Sequence, residues 1–265
     1  MSRTLNTPVV YPFVEESKLV IEKGMTGATG NIYAGLHEFE DMMFLLHLLR
    51  PGDLFVDVGA NIGSYTVLAS AVAMAQAISI EPVPKTFSNL KRNVAVNDLE
   101  SRVELHNYGI GNESGVLRFT RNLDTINHVI SSVDAANDSD SIEVQITTID
   151  DMMQGRIPLL IKIDVEGFEL AVLEGARQTL SNTHLNALII ELNGSCRRYG
   201  VNESDIHEFL VSSGFTAATY FPFERRLNMK ESFNPHSNTI YVRDQTLAQQ
   251  RLAGARKFRV LNQDI

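Results

Sequence analysis

The stretch from Asp53 to Ala69, DLFVDVGANIGSYTVLA, constrains this chain more than any other, because it reads as a strand, a glycine-bearing turn and the start of a helix. Leu54, Phe55, Val56 and Val58 form the short apolar run of a buried parallel strand, and Ile62, Tyr65, Leu68, Ala69 and Val72 then recur at helical spacing. Gly59 and Gly63 stand at the join, where glycine permits a sharp turn and lets a ligand approach the main chain without meeting a Cβ. A dinucleotide site asks for G-x-G-x-x-G, so that a pyrophosphate rests on bare amides at a helix N-terminus. Here the spacing is Gly59-x-x-x-Gly63, and the carboxylate of Asp57, two residues ahead, repels phosphate. The pattern favours a ligand with an ammonium group and no phosphate. S-adenosylmethionine is such a ligand.

A chain of 265 residues, 44% of them hydrophobic, can bury a full core as a single α/β domain. The net charge of −9 argues against a nucleic-acid partner, whose backbone needs a basic face. The lone Cys196 excludes an internal disulfide framework, suits a reducing compartment, and reads best as a buried small apolar residue. The apolar run from Tyr65 to Ile80 is broken by Ser70, Gln76 and Ser79, so no integral membrane segment is expected, and the opening MSRTLNTPVV lacks a signal-peptide core. A cytoplasmic protein is the expectation, with homo-oligomerisation left open.

Strands alternating with helices dominate the pattern, as in a mainly parallel sheet covered on both faces. Residues 1–35 read as an irregular segment and 36–265 as one domain. A helix is predicted over 36–49, a strand over 54–58 with its helix over 62–75, a strand over 77–81, a helix around Phe87–Val94 and a strand over 102–106. An insertion at about 112–148 breaks the pattern, because GVLRFTR and IEVQITT alternate apolar and polar residues like an antiparallel pair. The polar tract from Asn122 to Ser141 between them reads as a flap over the acceptor. The parallel pattern resumes with a strand at 159–164, a helix over 168–180 and a strand at 187–192; after a helix over 204–213, strands at 215–221 and 238–243 close it.

In such a sheet, ligands bind beyond the carboxyl ends of the strands. Those ends supply Asp57, Glu81, Asp164 with Glu166, and Glu191 with Asn193. Glu81 stands where an acid accepts hydrogen bonds from ribose hydroxyls, which suits NAD and S-adenosylmethionine equally. Tyr108 and Gly109 lie where an adenine could rest, or form a plain turn. Lys162 and Asp164 alternate onto one strand face, so an ion pair is the plain reading, yet three ionisable groups directly after Leu159, Leu160 and Ile161 are costly unless used or paired. Asp164, Glu191 and Asn193 also form an oxygen-only set able to hold magnesium, with hydrogen bonds to loop amides as the favoured alternative. His37 and His128 are further candidate bases.

Taken together, FVDVGANIGSYT, the IEP at 80–82 and LLIKIDVEGFELAVLEG at 159–175 resemble the FkbM-type family of S-adenosylmethionine-dependent methyltransferases. The resemblance implies a class I Rossmann-like sandwich: seven strands, mostly parallel, with one antiparallel edge strand and a small antiparallel insertion. It further implies O-methylation of a hydroxyl on a small molecule, sugar, glycolipid or polyketide-type metabolite. Asp57, Gly59, Ala60, Asn61, Gly63, Glu81, Tyr108 and Gly109 would then border the cofactor, with Asp164, Lys162 and Glu166 beside the transferred methyl. The alternatives are an NAD-linked oxidoreductase, which Asp57 and the glycine spacing oppose, and a cofactor-binding protein without turnover.

Overall fold

The computed structural model describes residues 8–22, 25–120, 127–130 and 141–265. It opens with strands β1 (Val9–Pro12) and β2 (Lys18–Ile21), then helices α1 (Thr26–Ala34) and α2 (Phe39–Leu48). The Rossmann-like part follows: β3 (Leu54–Val58), α3 (Ser64–Val67), which runs into a π-helical turn at Leu68–Val72, β4 (Gln76–Ile80), α4 (Pro84–Ala95) and β5 (Val103–His106). Next come β6 (Gly109–Ile110), β7 (Gly115–Thr120), β8 (Ser141–Thr147), α5 (Ile149–Met153), β9 (Leu160–Ile163), α6 (Glu169–Glu174), α7 (Arg177–Ser181) and β10 (Ala187–Leu192). The chain closes with α8 (Glu203–Ser212), β11 (Thr216–Phe221), β12 (Arg226–Met229), β13 (Ser237–Val242), α9 (Gln245–Ala253) and the pair β14 (Arg259–Val260) and β15 (Gln263–Asp264).

Among the described residues, eight strands form the main sheet in the order β12-β11-β13-β10-β9-β3-β4-β5. From β10 to β5 the pairing is parallel. The expected count of seven and the single antiparallel strand at an edge are therefore corrected. β13 runs antiparallel between β10 and β11, and β12 adds an antiparallel edge strand by a hairpin on β11. Arg226–Met229 carries too few buried residues to announce a strand, since an edge strand gets its pairing from one neighbour and packs mostly against solvent.

Alternation along the strands feeds two cores. Phe55, Leu160, Ala187 and Ile189 pack with α2, α3, α4 and α9 on one face, while Val56, Val58, Ile161, Ile163 and Leu188 pack with α5 to α8 on the other, where Cys196 is also buried. Burying both faces is what makes these strands read as continuous apolar runs.

Residues 1–35 are not irregular throughout: β1 and β2 form an antiparallel hairpin, and α1 follows. Leu19 and Ile21 anchor it in the first core, and Asn93 Oδ1 accepts from the Val20 amide. The helix has no apolar stripe, so tertiary contact rather than periodicity fixes it. The expected helix over 168–180 is two helices, α6 and α7. In the inserted region β6, β7 and β8 make a three-stranded sheet, with Phe119 bridged to Val129. Apart from 127–130 and Ser141, the tract from Asn122 to Ser141 lies outside the described residues. No helix among the described residues is long and apolar enough to cross a membrane.

Candidate active site

At the C-terminal edge of the parallel strands, one sheet face changes character. The alternation that places Phe55, Leu160 and Ile189 in the α2-side core places Asp57, Lys162 and Glu191 next on that same face. Register sets Ser79 beside Asp57 and Asp57 beside Lys162. All three are buried, as is Thr66. Thr66 Oγ1 donates to Asp57 Oδ2 at 2.7 Å and lies 2.8 Å from Ser79 Oγ. Among the described residues, Asp57 Oδ1 has no hydrogen-bond partner. Burial pushes this carboxyl up to about 6, against the pull of Lys162 and Thr66.

A cleft of about 550 Å³ opens at this edge, and every residue singled out from the sequence lines it except Gly63 and His128. Gly59 has φ +78°, and a Cβ there would stand 1.8 Å from the Asp164 carbonyl oxygen. The close approach that demands glycine is thus made by the β9–α6 loop, which ties the two halves of the cleft together. Gly63 has φ +90° and stands behind the cleft, where a Cβ would meet Leu90 of α4 at 2.5 Å. Between them Asn61 adopts φ 51°, and its amide donates to Glu81 Oε2 at 3.0 Å. Glu81 Oε1 accepts from the Val83 amide at 2.9 Å. Burial raises the Glu81 carboxyl to about 7 even though both amide bonds favour its ionised form. Tyr108 stacks on His106 with ring centroids 4.8 Å apart and lines the same end as Glu81 and Gly109.

The other end is acidic. One carboxylate oxygen from each of Asp164, Glu166 and Glu191 lies within 4.8 Å of the others. Lys162 Nζ donates to Asp164 Oδ2 at 2.7 Å and sits 4.8 Å from the Tyr65 ring centroid. Burial works against the Lys162 charge, but Asp164, Glu38 and Asp57 outweigh it and hold the ammonium above the ordinary lysine range. Burial, then Asp164, lifts Glu166 to about 7, and its φ of 55° is one that side chains seldom adopt. Burial, then Asp164 and Glu166, lifts Glu191 to about 9. Three carboxylates this close, with one lysine among them, cannot all ionise near neutral pH.

In the set of Asp164, Glu191 and Asn193, Asn193 Oδ1 accepts from the Ser195 amide at 2.9 Å, the loop-amide bonding favoured from the sequence, and its Nδ2 donates to Glu191 Oε2 at 3.0 Å, while Glu166 joins Asp164 and Glu191 in the acidic cluster. His37 lines the cleft; His128 does not, although Asn127 and Val129 on either side of it do.

Two cleft residues escape a sequence reading. Tyr65 looks like one more apolar position of the first helix, yet its ring carries the Lys162 ammonium. Its phenol tip on an apolar stripe is the one local signal. Glu38 accepts from Asn238 Nδ2 at 2.6 Å, and Asp41 accepts from the same group at 3.1 Å. No local pattern announces a partner 200 positions away.

Residues 57–221 match the model of the Methyltransferase FkbM domain. The chain is 28% identical over 201 residues to the hexuronic acid methyltransferase AglP of Haloferax volcanii, covering 74% of this chain and 75% of that protein. It is 35% identical over 85 residues to the 31-O-demethyl-FK506 methyltransferase FkbM of Streptomyces tacrolimicus, covering 31% of this chain and 32% of that one. Among solved structures, a methyltransferase FkbM from Methylobacillus flagellatus aligns with a TM-score of 0.49 at 20% identity, over 72% of this chain and 43% of that one.

Proposed function

Because this chain belongs to the FkbM methyltransferase domain family, we propose that it is an O-methyltransferase that carries the methyl of S-adenosylmethionine to a hydroxyl of a small-molecule or glycan acceptor. The observation that carries this reading is the meeting, in one cleft, of a phosphate-repelling turn and a lysine-paired carboxylate. The residues fit the cofactor. Asp57 has an orphaned, buried oxygen suited to an ammonium group. Glu81 holds its carboxylate at the end of β4 by two amide bonds and keeps lone pairs for ribose hydroxyls. Tyr108 offers a ring beside Gly109 for the adenine.

When bound, the cofactor supplies an electrophilic methyl on a sulfonium that leaves as a neutral thioether. What remains for the protein is to align the acceptor and take its proton. Asp164 is the group suited to taking it, because with Lys162 donating to its Oδ2 the carboxylate keeps further lone pairs to accept from a hydroxyl. Glu191, at about 9, keeps its proton at neutral pH and holds a hydrogen bond toward Asp164. The Gly59–Asp164 contact fixes the distance between cofactor turn and base, which is where a positioning enzyme gains most. We read the route as metal-free, with Lys162 donating to Asp164 Oδ2 and Asn193 Nδ2 donating to Glu191 Oε2 as the partners of these carboxylates.

Calorimetric titration tests the reading, with S-adenosylhomocysteine and NAD as the two probes. Micromolar binding of S-adenosylhomocysteine without NAD binding is the expected result. Binding of NAD alone would overturn it.

A further inference from the structure

Behind the Glu81 end of the cleft stands a row of charged and aromatic side chains with no part in the chemistry at Asp164. β5 is the edge strand of the main sheet, and its pairing with β4 sets His106 beside Ile80. The chain therefore leaves β5 directly alongside Glu81, whose amide donates to His106 O at 3.1 Å. Asn107 closes that corner, because its Nδ2 donates to Glu81 O at 2.9 Å and to Pro82 O at 3.0 Å. Tyr108, the next residue, lines the cleft together with Glu81 and Gly109.

Alternation puts Leu105 against the α2-side core and Glu104 with His106 on the other face of β5. Arg156, between α5 and β9, reaches that face. Its Nη1 donates to Glu104 Oε2 at 2.7 Å, and Glu104 Oε1 lies 2.6 Å from His106 Nε2. Arg156, then His106, holds the Glu104 carboxyl below its ordinary range against the effect of burial. Held at one ring nitrogen, the imidazole stacks on Tyr108 with centroids 4.8 Å apart and planes tilted by 38°. Tyr108 lines the cleft and His106 does not, so the imidazole backs the phenol ring from outside. The side chains of Arg156, Glu104 and His106 are 46%, 42% and 22% exposed, and charged pairs so open to water add little to the stability of a fold. A ring ordered in advance does more for a ligand, which is then spared the entropy of immobilising it.

We infer that His106, fixed by Glu104 and Arg156, is a positioning residue for the cofactor: it holds the Tyr108 ring in the orientation on which the adenine stacks. The inference rests on reading the cleft as the S-adenosylmethionine site and deepens that reading. His106 acts only through Tyr108, so its loss should cost affinity for an adenine-bearing ligand only while the Tyr108 ring is present.

The test is calorimetric titration of two adenine-bearing probes, S-adenosylhomocysteine and NAD, into the full chain, His106→Ala, His106→Gln, His106→Phe, Tyr108→Leu and the double variant of Tyr108→Leu with His106→Ala. His106→Ala and His106→Gln are expected to bind S-adenosylhomocysteine about threefold to tenfold more weakly than the parent, since glutamine can still bond to Glu104 but brings no ring. His106→Phe restores a ring and should bind within about twofold of the parent. In the Tyr108→Leu background, His106→Ala should cost nothing further, as expected of two groups that act as one. A merely structural His106 would give additive losses and no rescue by phenylalanine. Parent-like binding by His106→Ala, no rescue by His106→Phe, or a full further loss in the double variant would each overturn the inference, and the parent's affinity for S-adenosylhomocysteine would still uphold the methyl-transfer reading. NAD bound in place of S-adenosylhomocysteine, with the same dependence on His106 and Tyr108, would keep the stack and discard that reading. A parent chain that binds neither probe would overturn both.

Discussion

Asp57 is held where an ionised carboxylate is least comfortable, buried and with one oxygen unpaired. Asp57→Asn is therefore expected to unfold at the same or a higher temperature than the parent, while S-adenosylhomocysteine binds at least tenfold more weakly. Melting curves and calorimetry on one preparation check both halves; unchanged affinity would remove Asp57 from the cofactor site. At Glu81 the two backbone amides refine the expectation. Glutamine can serve one of them but presents an NH₂ to the other, so Glu81→Gln should bind S-adenosylhomocysteine with an affinity between the parent and Glu81→Ala. Equal affinities would reduce Glu81 to a strand-end residue. For Asp164→Asn we expect methyl transfer to the acceptor hydroxyl to fall on the order of a hundredfold, with or without chelator. Glu191→Gln should lose less, because its amide still donates toward Asp164; equal losses that chelator reproduces in the parent would point to a metal instead. These acids were legible because each ends an apolar strand. Glu38 and Tyr65 were not, since their roles depend on Asn238 and Lys162, far off in sequence.

Among the elements, the contact between the β3–α3 turn and the β9–α6 loop separates two reasons for glycine. Gly52 and Gly59 both have positive φ, +90° and +78°, but a Cβ meets nothing within 4 Å at Gly52 and meets the Asp164 carbonyl at Gly59. Gly52→Ala should cost about 1 to 2 kcal/mol, the left-handed penalty alone. Gly59→Ala should cost more than about 3 kcal/mol or prevent folding, because main chain must move. Urea unfolding of the two variants decides, and similar losses would mean that the loops slide apart cheaply. The central strands could be read from sequence because burial on both faces leaves an unbroken apolar run, as in Leu160–Ile163. α1 and β12 could not. Residues held by contacts with distant partners carry no period of their own.

For the whole molecule, the buried acids set a pH dependence. Glu81, Glu166 and Glu169 are raised by burial to about 7, Asp57 to about 6 and Glu191 to about 9. Unfolded, they release their protons near the ordinary carboxylate range, so from roughly pH 4.5 upward the folded chain binds more protons than the unfolded one. Stability should therefore decline as pH rises from 5 to 9. Glu191→Gln should flatten the part above pH 7. Thermal melts across that range check this, and a melting temperature that climbs with pH would contradict it. The topology has another effect, on the order in which the molecule can be made. β13 is the last of the main-sheet strands in the chain, yet it sits between β10 and β11 and brings Asn238 to Glu38. A nascent polypeptide halted before residue 237 holds β10 with an open edge, β11 paired with β12 alone, and Glu38 without Asn238. The cofactor turn is translated early and the wall facing it is finished late, so competence for ligand comes only after the ribosome has released the final sheet strand.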